Sequence, residues 1–249
     1  MTTEPVARPT REPLFHLPKV DEKFAAEVRD HFLEAARQMP DFHMRLPREE
    51  ADFILRAPVD TELYVMIVPI AEMILERRDE VSADTHANLA ILAGLPAMTE
   101  VLALQIAFGR RVGEQRALKI AGLAARAAAQ GMSVTRVSVH PGASEKAPRD
   151  PLLRLFLGEI RRAPNLERLA VGIARMRETS ALVPEALRSP MLCTIAWLEW
   201  ARGNRALSLA YLSEATRLEP DVTAVRGLRQ MFASRMPAWT AAVVATAAT

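Results

Sequence analysis

The sequence predicts a mainly α-helical protein of stacked helical hairpins, resembling an α-solenoid, and three observations support this fold class. Aromatic residues make up only 5% of the 249 residues, whereas alanine is abundant. Strands favour aromatic and β-branched residues, and helices favour alanine. Apolar residues also recur at helical spacing, and after Pro148 no strand pattern interrupts a regular series of helix starts.

The first hundred residues carry the signals of several helices after a short arm. Residues 1–18 are rich in proline and lack periodicity, so we expect a flexible arm. Asp21 caps a helix that ends before Pro40, and Thr61 caps another that runs to about Glu80. Within it, LYVMIVPI (63–70) is apolar and contains proline, so a kinked helix and a short strand both remain open.

Residues 88–109, NLAILAGLPAMTEVLALQIAFG, are long enough to cross a membrane. They contain Glu100, however, and a carboxylate in the middle of a span is unfavourable. We therefore predict two buried helices broken at 94–96 and no membrane partner. A basic helix from about Val112 to Gln130 follows, with Leu118, Ile120 and Leu123 expected to face the core.

Residues 131–148, GMSVTRVSVHPGASEKAP, differ from their surroundings. Their proline, glycine and serine content predicts a loop, with at most one short strand near 133–140. This loop is the best candidate boundary, so the predicted organisation is an arm (1–18), an N-terminal helical region (19–130), a linker (131–148), a C-terminal helical region (149–239) and a tail (240–249).

Three helix starts stand out in the C-terminal region. Asp150 and Ser189 each precede a proline, and Asn165 precedes an apolar periodic run. A proline suits the first helical position because its missing N–H has no partner there. These signals predict helices beginning close to 151, 166 and 190.

The hairpin from Leu192 to Pro220 resembles one tetratricopeptide repeat. Its glycine supplies the turn, small residues fit where the helices cross, and a proline closes the unit. The structural positions are Ala196, Trp197, Trp200, Gly203, Ser208, Leu212, Ala215 and Pro220. Glu199 departs from the motif, which usually has a large residue there. Such repeats normally occur in groups of three or more, so a packed terminal hairpin and a partner-binding repeat surface both remain open.

A longer resemblance covers RDPLLRLFLGEIRRAP, LCTIAWLEWARGNRALSLAYLSEATRLEPD and MPAW, in that order. Residues 149–239 resemble the C-terminal helical half of an uncharacterised actinobacterial family, a domain of unknown function that also occurs in phages of those bacteria. The resemblance implies a helical fold for this region and carries over no functional residues. The N-terminal half of that family is usually α/β and longer, and residues 1–130 match it poorly.

The sequence offers little catalytic chemistry. Its five histidines form no HExxH pattern, and one cysteine, Cys193, cannot build a zinc site. Glu27, His31 and Glu34 share one face of the first helix, which fits half a metal site or, more commonly, a solvated charged face. We expect no enzyme activity, no metal and no cofactor.

Charge is distributed unevenly along the chain. Residues 1–100 carry 19 acidic and 11 basic side chains, whereas residues 101–249 carry 11 acidic and 21 basic ones. Candidate partner- or phosphate-binding residues in this basic region are Arg110, Arg111, Arg116, Lys119, Arg126, Arg161 and Arg162. Solvated helix faces, an acidic surface (including the chain's own first half) and nucleic acid are three alternatives for what they face.

Together these patterns favour a non-catalytic protein-interaction or regulatory protein that acts through helical surfaces. The alternative is a nucleic-acid-associated accessory protein that uses the basic region 101–180. A single cysteine and a first segment without an apolar core indicate a cytoplasmic setting. A protein partner is expected, and a homo-oligomer remains open.

Overall fold

Helices form most of the described structure, as the sequence predicts. The computed structural model describes residues 15–38, 42–45, 52–55, 61–76, 80–95, 97–130, 150–219 and 223–240. The helices within these ranges are α1 (Glu22–Gln38), α2 (Thr61–Glu76), α3 (Ala83–Ala93), α4 (Met98–Phe108), α5 (Arg110–Ala129), α6 (Pro151–Phe156), α7 (Leu166–Leu182), α8 (Ser189–Ala201), α9 (Arg205–Leu218) and α10 (Thr223–Ser234). A short 3₁₀ helix, Glu185–Leu187, precedes α8.

The strands lie elsewhere than predicted. LYVMIVPI is helical, because it forms part of the sixteen-residue helix α2, in which Pro69 faces solvent. An antiparallel pair is formed instead by β1 (Phe42–Arg45) and β2 (Asp52–Leu55). Four-residue strands are too short for their side-chain alternation to stand out in a sequence. The second predicted strand, 133–140, lies outside the described residues, as does the whole of the predicted linker (131–148).

Capping side chains fix the helix starts that the sequence indicates. The Asp21 carboxylate accepts a hydrogen bond from the Phe24 N–H at 2.8 Å. Asp150 accepts one from the Leu152 N–H, and Asn165 accepts one from the Arg168 N–H. These bonds satisfy N–H groups that have no partner within their own helix.

The break between α3 and α4 is where the sequence places it. Gly94 follows the last residue of α3, and Ala97 has a φ of 65°, in the left-handed region. The chain therefore turns between two short buried helices instead of continuing as one long helix. Among the described residues, none of the helices has the length and apolar character needed to span a membrane.

Helices α4 and α8 lie at the centre of the molecule. Helix α4 packs against α2, α3, α5, α6, α7 and α8, while α8 also contacts α9 and α10. A Cβ on Gly172 of α7 would lie 2.3 Å from the Ile106 side chain of α4, so glycine permits that close approach. The N-terminal and C-terminal helical regions thus share one hydrophobic core.

Candidate interaction site

The predicted basic residues separate into several environments. Arg110 and Arg111 begin α5 at the surface, and Arg110 pairs with Glu114 at 2.8 Å. Arg162 lies over the Phe108 ring, 5.4 Å from its centroid. Arg161, also exposed, precedes it, whereas Arg126 lies near the far end of α5. Helix α5 rises about 1.5 Å per residue, so these cations do not form a single cluster.

The predicted role of Arg116 in binding a partner or a phosphate is wrong. Only 3% of its side chain is exposed, because it bonds to Glu100 and, at 3.0 Å, to Asp150. A buried guanidinium held by two carboxylates cannot also bind a partner. A sequence signal was present, since Val112 and Ile120 lie four residues to either side of it and are buried on the same helix face.

Leu118 is a second correction on the same helix. It is 61% exposed instead of facing the core, whereas Ile120 is buried and Leu123 is half-buried. Residues two apart on a helix point in widely different directions, so Leu118 and Ile120 could not both face inward.

The two carboxylates bonded to Arg116 have pKa values shifted in opposite directions. Burial raises the pKa of Glu100, although the Arg116 charge and hydrogen bond oppose that shift. Burial also acts to raise the pKa of Asp150, but hydrogen bonds from Lys119 and the Leu152 N–H, with the nearby cations, lower it overall. Lys119 lies 2.6 Å from Asp150, so it stabilises the cap of α6.

A second buried network was not predicted from the sequence. Arg168 of α7 makes two hydrogen bonds to Glu72 of α2, at 2.7 and 3.2 Å. The Gln105 amide of α4 donates to the same carboxylate at 2.9 Å and to the Val68 carbonyl at 2.8 Å. This network joins three helices inside the core.

These two networks pair acidic residues of the first hundred positions with basic residues of the remainder. Glu72 and Glu100 belong to the acidic first hundred residues, and their partners Arg168 and Arg116 belong to the basic remainder. The two halves therefore attract each other within one molecule. In a buried setting such pairs are screened less by salt than surface pairs are.

The possible metal-binding face remains a surface feature. Glu27, His31 and Glu34 line one surface groove of α1. No cluster of three histidine, cysteine or carboxylate side chains suited to a metal occurs in the described part of the chain. Cys193 is fully buried on α8, and burial raises the pKa of its thiol to about 12, which makes it a poor nucleophile at neutral pH.

His86 is a buried titratable group that the sequence did not single out. Its Nδ1 lies 2.8 Å from the Thr179 hydroxyl, which itself donates to the Arg175 carbonyl. Thr179 must therefore accept from His86, so the neutral ring carries its proton on Nδ1. No hydrogen-bond partner for Nε2 is found among the described residues. Burial lowers the pKa of His86, with Glu178 raising it and Arg175 lowering it by smaller amounts.

This arrangement predicts acid sensitivity. The ordinary pKa of histidine is 6.5. Below this pH the unfolded chain binds a proton at His86, whereas the folded chain, in which the pKa is lower, binds it less readily. The free energy of unfolding should therefore fall as the pH is lowered from 7 to 5. Urea denaturation across that range should show a shallower loss for His86→Gln than for the parent chain. Equal slopes for the two proteins would contradict the prediction.

The repeat-like hairpin formed by α8 and α9 is closely packed. Its small positions Ala196, Ser208 and Ala215 are fully buried, and Gly203 forms the turn with a φ of 90°. Leu212 is buried as well, and Pro220 lies outside the described residues. These positions are therefore buried, and their place at a crossing of the two helices stays a prediction.

Tryptophans anchor this hairpin to the rest of the protein. The indole of Trp197 stacks on Phe156 at 5.3 Å between ring centroids and donates to its carbonyl at 2.9 Å. Trp200 donates to the Arg235 carbonyl, and Trp239 donates to the Ala201 carbonyl. Each buried ring therefore has its polar group satisfied.

Glu199, which departs from the repeat motif, is buried beneath the surface. It is 2% exposed and accepts two hydrogen bonds from Arg202, at 2.6 and 3.0 Å. Burial raises its pKa, and Arg202 and the more distant Arg177 oppose that shift. The carboxylate on α8 is thus bonded to Arg202 and also feels the charge of Arg177 on α7.

A stretch of the chain without regular secondary structure lies against α7 and α9. Arg177 of α7 donates to the His16 carbonyl at 2.7 Å and also hydrogen-bonds the Tyr211 hydroxyl of α9. The Phe15 ring meets the Tyr211 ring edge-on, with centroids 5.3 Å apart. We call Arg177, Glu199, Arg202 and Tyr211 the Arg177–Tyr211 surface. Residues 15–17 therefore lie on this surface through the contacts of Phe15 and His16, although the sequence assigned them to a flexible arm.

Comparison with known proteins provides no relative. The chain matches no family model, no curated protein and no solved structure. The resemblance of residues 149–239 to the actinobacterial family therefore stays a prediction, and function has to be argued from the geometry alone.

Proposed function

We propose that this chain is a non-catalytic protein-interaction or regulatory protein that acts in the cytoplasm through its helical surfaces. The observation that carries the proposal is the Arg177–Tyr211 surface, on which a stretch of polypeptide without regular secondary structure is already bound. It is held by a main-chain carbonyl and an aromatic ring, which are groups that any protein partner can supply.

The surroundings of this surface support binding over catalysis. Its carboxylate, Glu199, is held by Arg202 beneath the surface, and its tyrosine hydroxyl is bonded to Arg177. A catalytic acid or base must reach the atom it serves, and these groups are instead occupied by one another. They form a floor on which a peptide can lie.

A selection experiment with two classes of ligand tests this function. Random linear peptides would be selected on the full-length wild-type chain and on Phe15→Ala, and fluorescent single- and double-stranded oligonucleotides would be titrated in parallel. We expect peptides to be enriched and to bind with little change between 50 and 200 mM salt. Oligonucleotide binding through phosphates would instead weaken by about 10³-fold or more over that range.

The result that overturns the proposal is also specific. If no peptide is enriched on either protein, or if only oligonucleotides bind and do so with that steep salt dependence, the chain is not a protein-interaction module of this kind. Enrichment at any helical surface supports the proposal, wherever that surface lies.

A further inference from the structure

We propose that the Arg177–Tyr211 surface is a binding site for extended segments of another protein that carry an aromatic residue, and that residues 15–17 occupy it as an internal competitor. This inference rests on the proposed function and assigns it a location, a ligand pattern and a regulatory device.

The contacts define what the site recognises. Arg177 binds a backbone carbonyl, a group present in every peptide, so this contact fixes the path of the ligand and not its sequence. The aromatic contact between Phe15 and Tyr211 supplies selectivity, since an edge-to-face pair needs a ring at that position.

The exposure of residues 15–17 indicates which positions of a ligand would face the protein. Phe15 and Leu17 are half-buried and pack against the core, whereas His16 between them is exposed. This alternation is the one expected of an extended chain, whose successive side chains point to opposite sides. The site therefore fits an aromatic residue, any residue, and then an aliphatic residue.

Weak attachment makes the internal segment replaceable. Phe15, Leu17 and Val20 pack against the core, but none of residues 15–20 is fully buried, whereas Tyr211 beneath them is only 2% exposed. The bond from Arg177 is the one hydrogen bond between residues 15–20 and the rest of the described chain. Segments with no fully buried residue and few hydrogen bonds open at low free energy, so this stretch can leave while the helices stay folded.

The chain connection argues for another protein as the external ligand instead of a second copy. Only residues 18–21 separate the bound segment from the start of α1. Such a short tether gives the chain's own segment a high effective concentration. An identical segment from a second copy makes the same contacts, so it cannot offset the high effective concentration of the chain's own segment. A different protein whose segment makes better contacts can offset it.

A peptide of residues 13–20, PLFHLPKV, labelled with a fluorophore, is the probe for this exchange. Its binding would be followed by fluorescence anisotropy with full-length wild type, Phe15→Ala, Phe15→Ala with Arg177→Met, and Phe15→Ala with Arg205→Met. Phe15→Ala weakens the attachment of the internal segment to the site. The peptide should therefore bind this variant about tenfold more tightly than it binds wild type. Arg177→Met should remove this gain, whereas the exposed control Arg205→Met should keep it.

A matched peptide makes the test independent of protein folding. The same peptide with alanine in place of its phenylalanine should bind Phe15→Ala at least about tenfold more weakly than the parent peptide. Equal binding of the two peptides, or no binding of the parent peptide to Phe15→Ala, overturns the inference. So does a dimer of Phe15→Ala in light scattering that the peptide fails to dissociate, because a second copy would then fill the site.

The two proposals fail in different ways. If random peptides are enriched on the chain but the 13–20 peptide does not bind Phe15→Ala, the protein-interaction function stands and the site lies elsewhere. If neither binds, the protein-interaction function and the site both fail.

Discussion

Replacing Arg116 by leucine is expected to lower the free energy of unfolding by about 3–5 kcal/mol. The guanidinium is buried and bonds to both Glu100 and Asp150. Without it, Glu100 must either remain ionised with no counter-charge or take up a proton, and burial already raises its pKa. Asp150 would at the same time lose one of the cations that hold it as the cap of α6.

Urea denaturation followed by circular dichroism measures this loss. The control is Arg111→Leu on the same helix, which removes an exposed arginine and should change stability by no more than about 0.5 kcal/mol. If both variants unfold at the same urea concentration, Arg116 is not the buried partner that the structure shows.

The replacement of Arg168 by methionine should have a comparable effect, about 3–5 kcal/mol. Glu72 is 4% exposed and would lose both hydrogen bonds from Arg168, keeping only the one from Gln105. The change would also detach α7 from α2 and α4, since the guanidinium donates to the Gln105 and Ile106 carbonyls as well.

A double replacement distinguishes the loss of the Glu72–Arg168 interaction from a general loss of packing. Glu72→Gln removes the charge that Arg168→Met leaves behind, so the double variant should be more stable than Arg168→Met alone. The control for the arginine is Arg161→Met at the surface, which should be nearly neutral. A double variant that loses the sum of the two single losses would show that the two residues do not interact.

Much of the fold was predictable because its signals are local. Asp150 and Asn165 cap the helices they were expected to cap, and the turn at Gly94 separates two short buried helices. Capping depends on residues two or three positions apart, which a sequence displays directly. The four-residue strands β1 and β2 give no such signal, and α2 is helical despite Pro69 because it packs against α3, α4, α5 and α7.

The candidate site was less predictable because its contacts join distant parts of the chain. Positions of the α8–α9 hairpin follow from a short repeat pattern, and Ala215 is buried where that pattern places it. Phe15 meets Tyr211 across almost 200 residues, and no local pattern connects them. The prediction for the basic region was wrong at Arg116 for a different reason. The number of basic residues in a segment does not distinguish Arg116, which buried carboxylates hold, from Arg111, which is exposed.

The central claim is that the Arg177–Tyr211 surface holds a replaceable extended segment, and fluorine NMR tests it most directly. The chain has two tyrosines, Tyr64 and Tyr211. Fluorotyrosine labelling of the full-length chain thus gives one resonance from Tyr211 of the Arg177–Tyr211 surface and one from Tyr64, which is buried in the core. Phe15→Ala should shift the Tyr211 resonance, adding the 13–20 peptide should shift it back, and the Tyr64 resonance should stay fixed. A Tyr211 resonance that responds to neither change would contradict the claim.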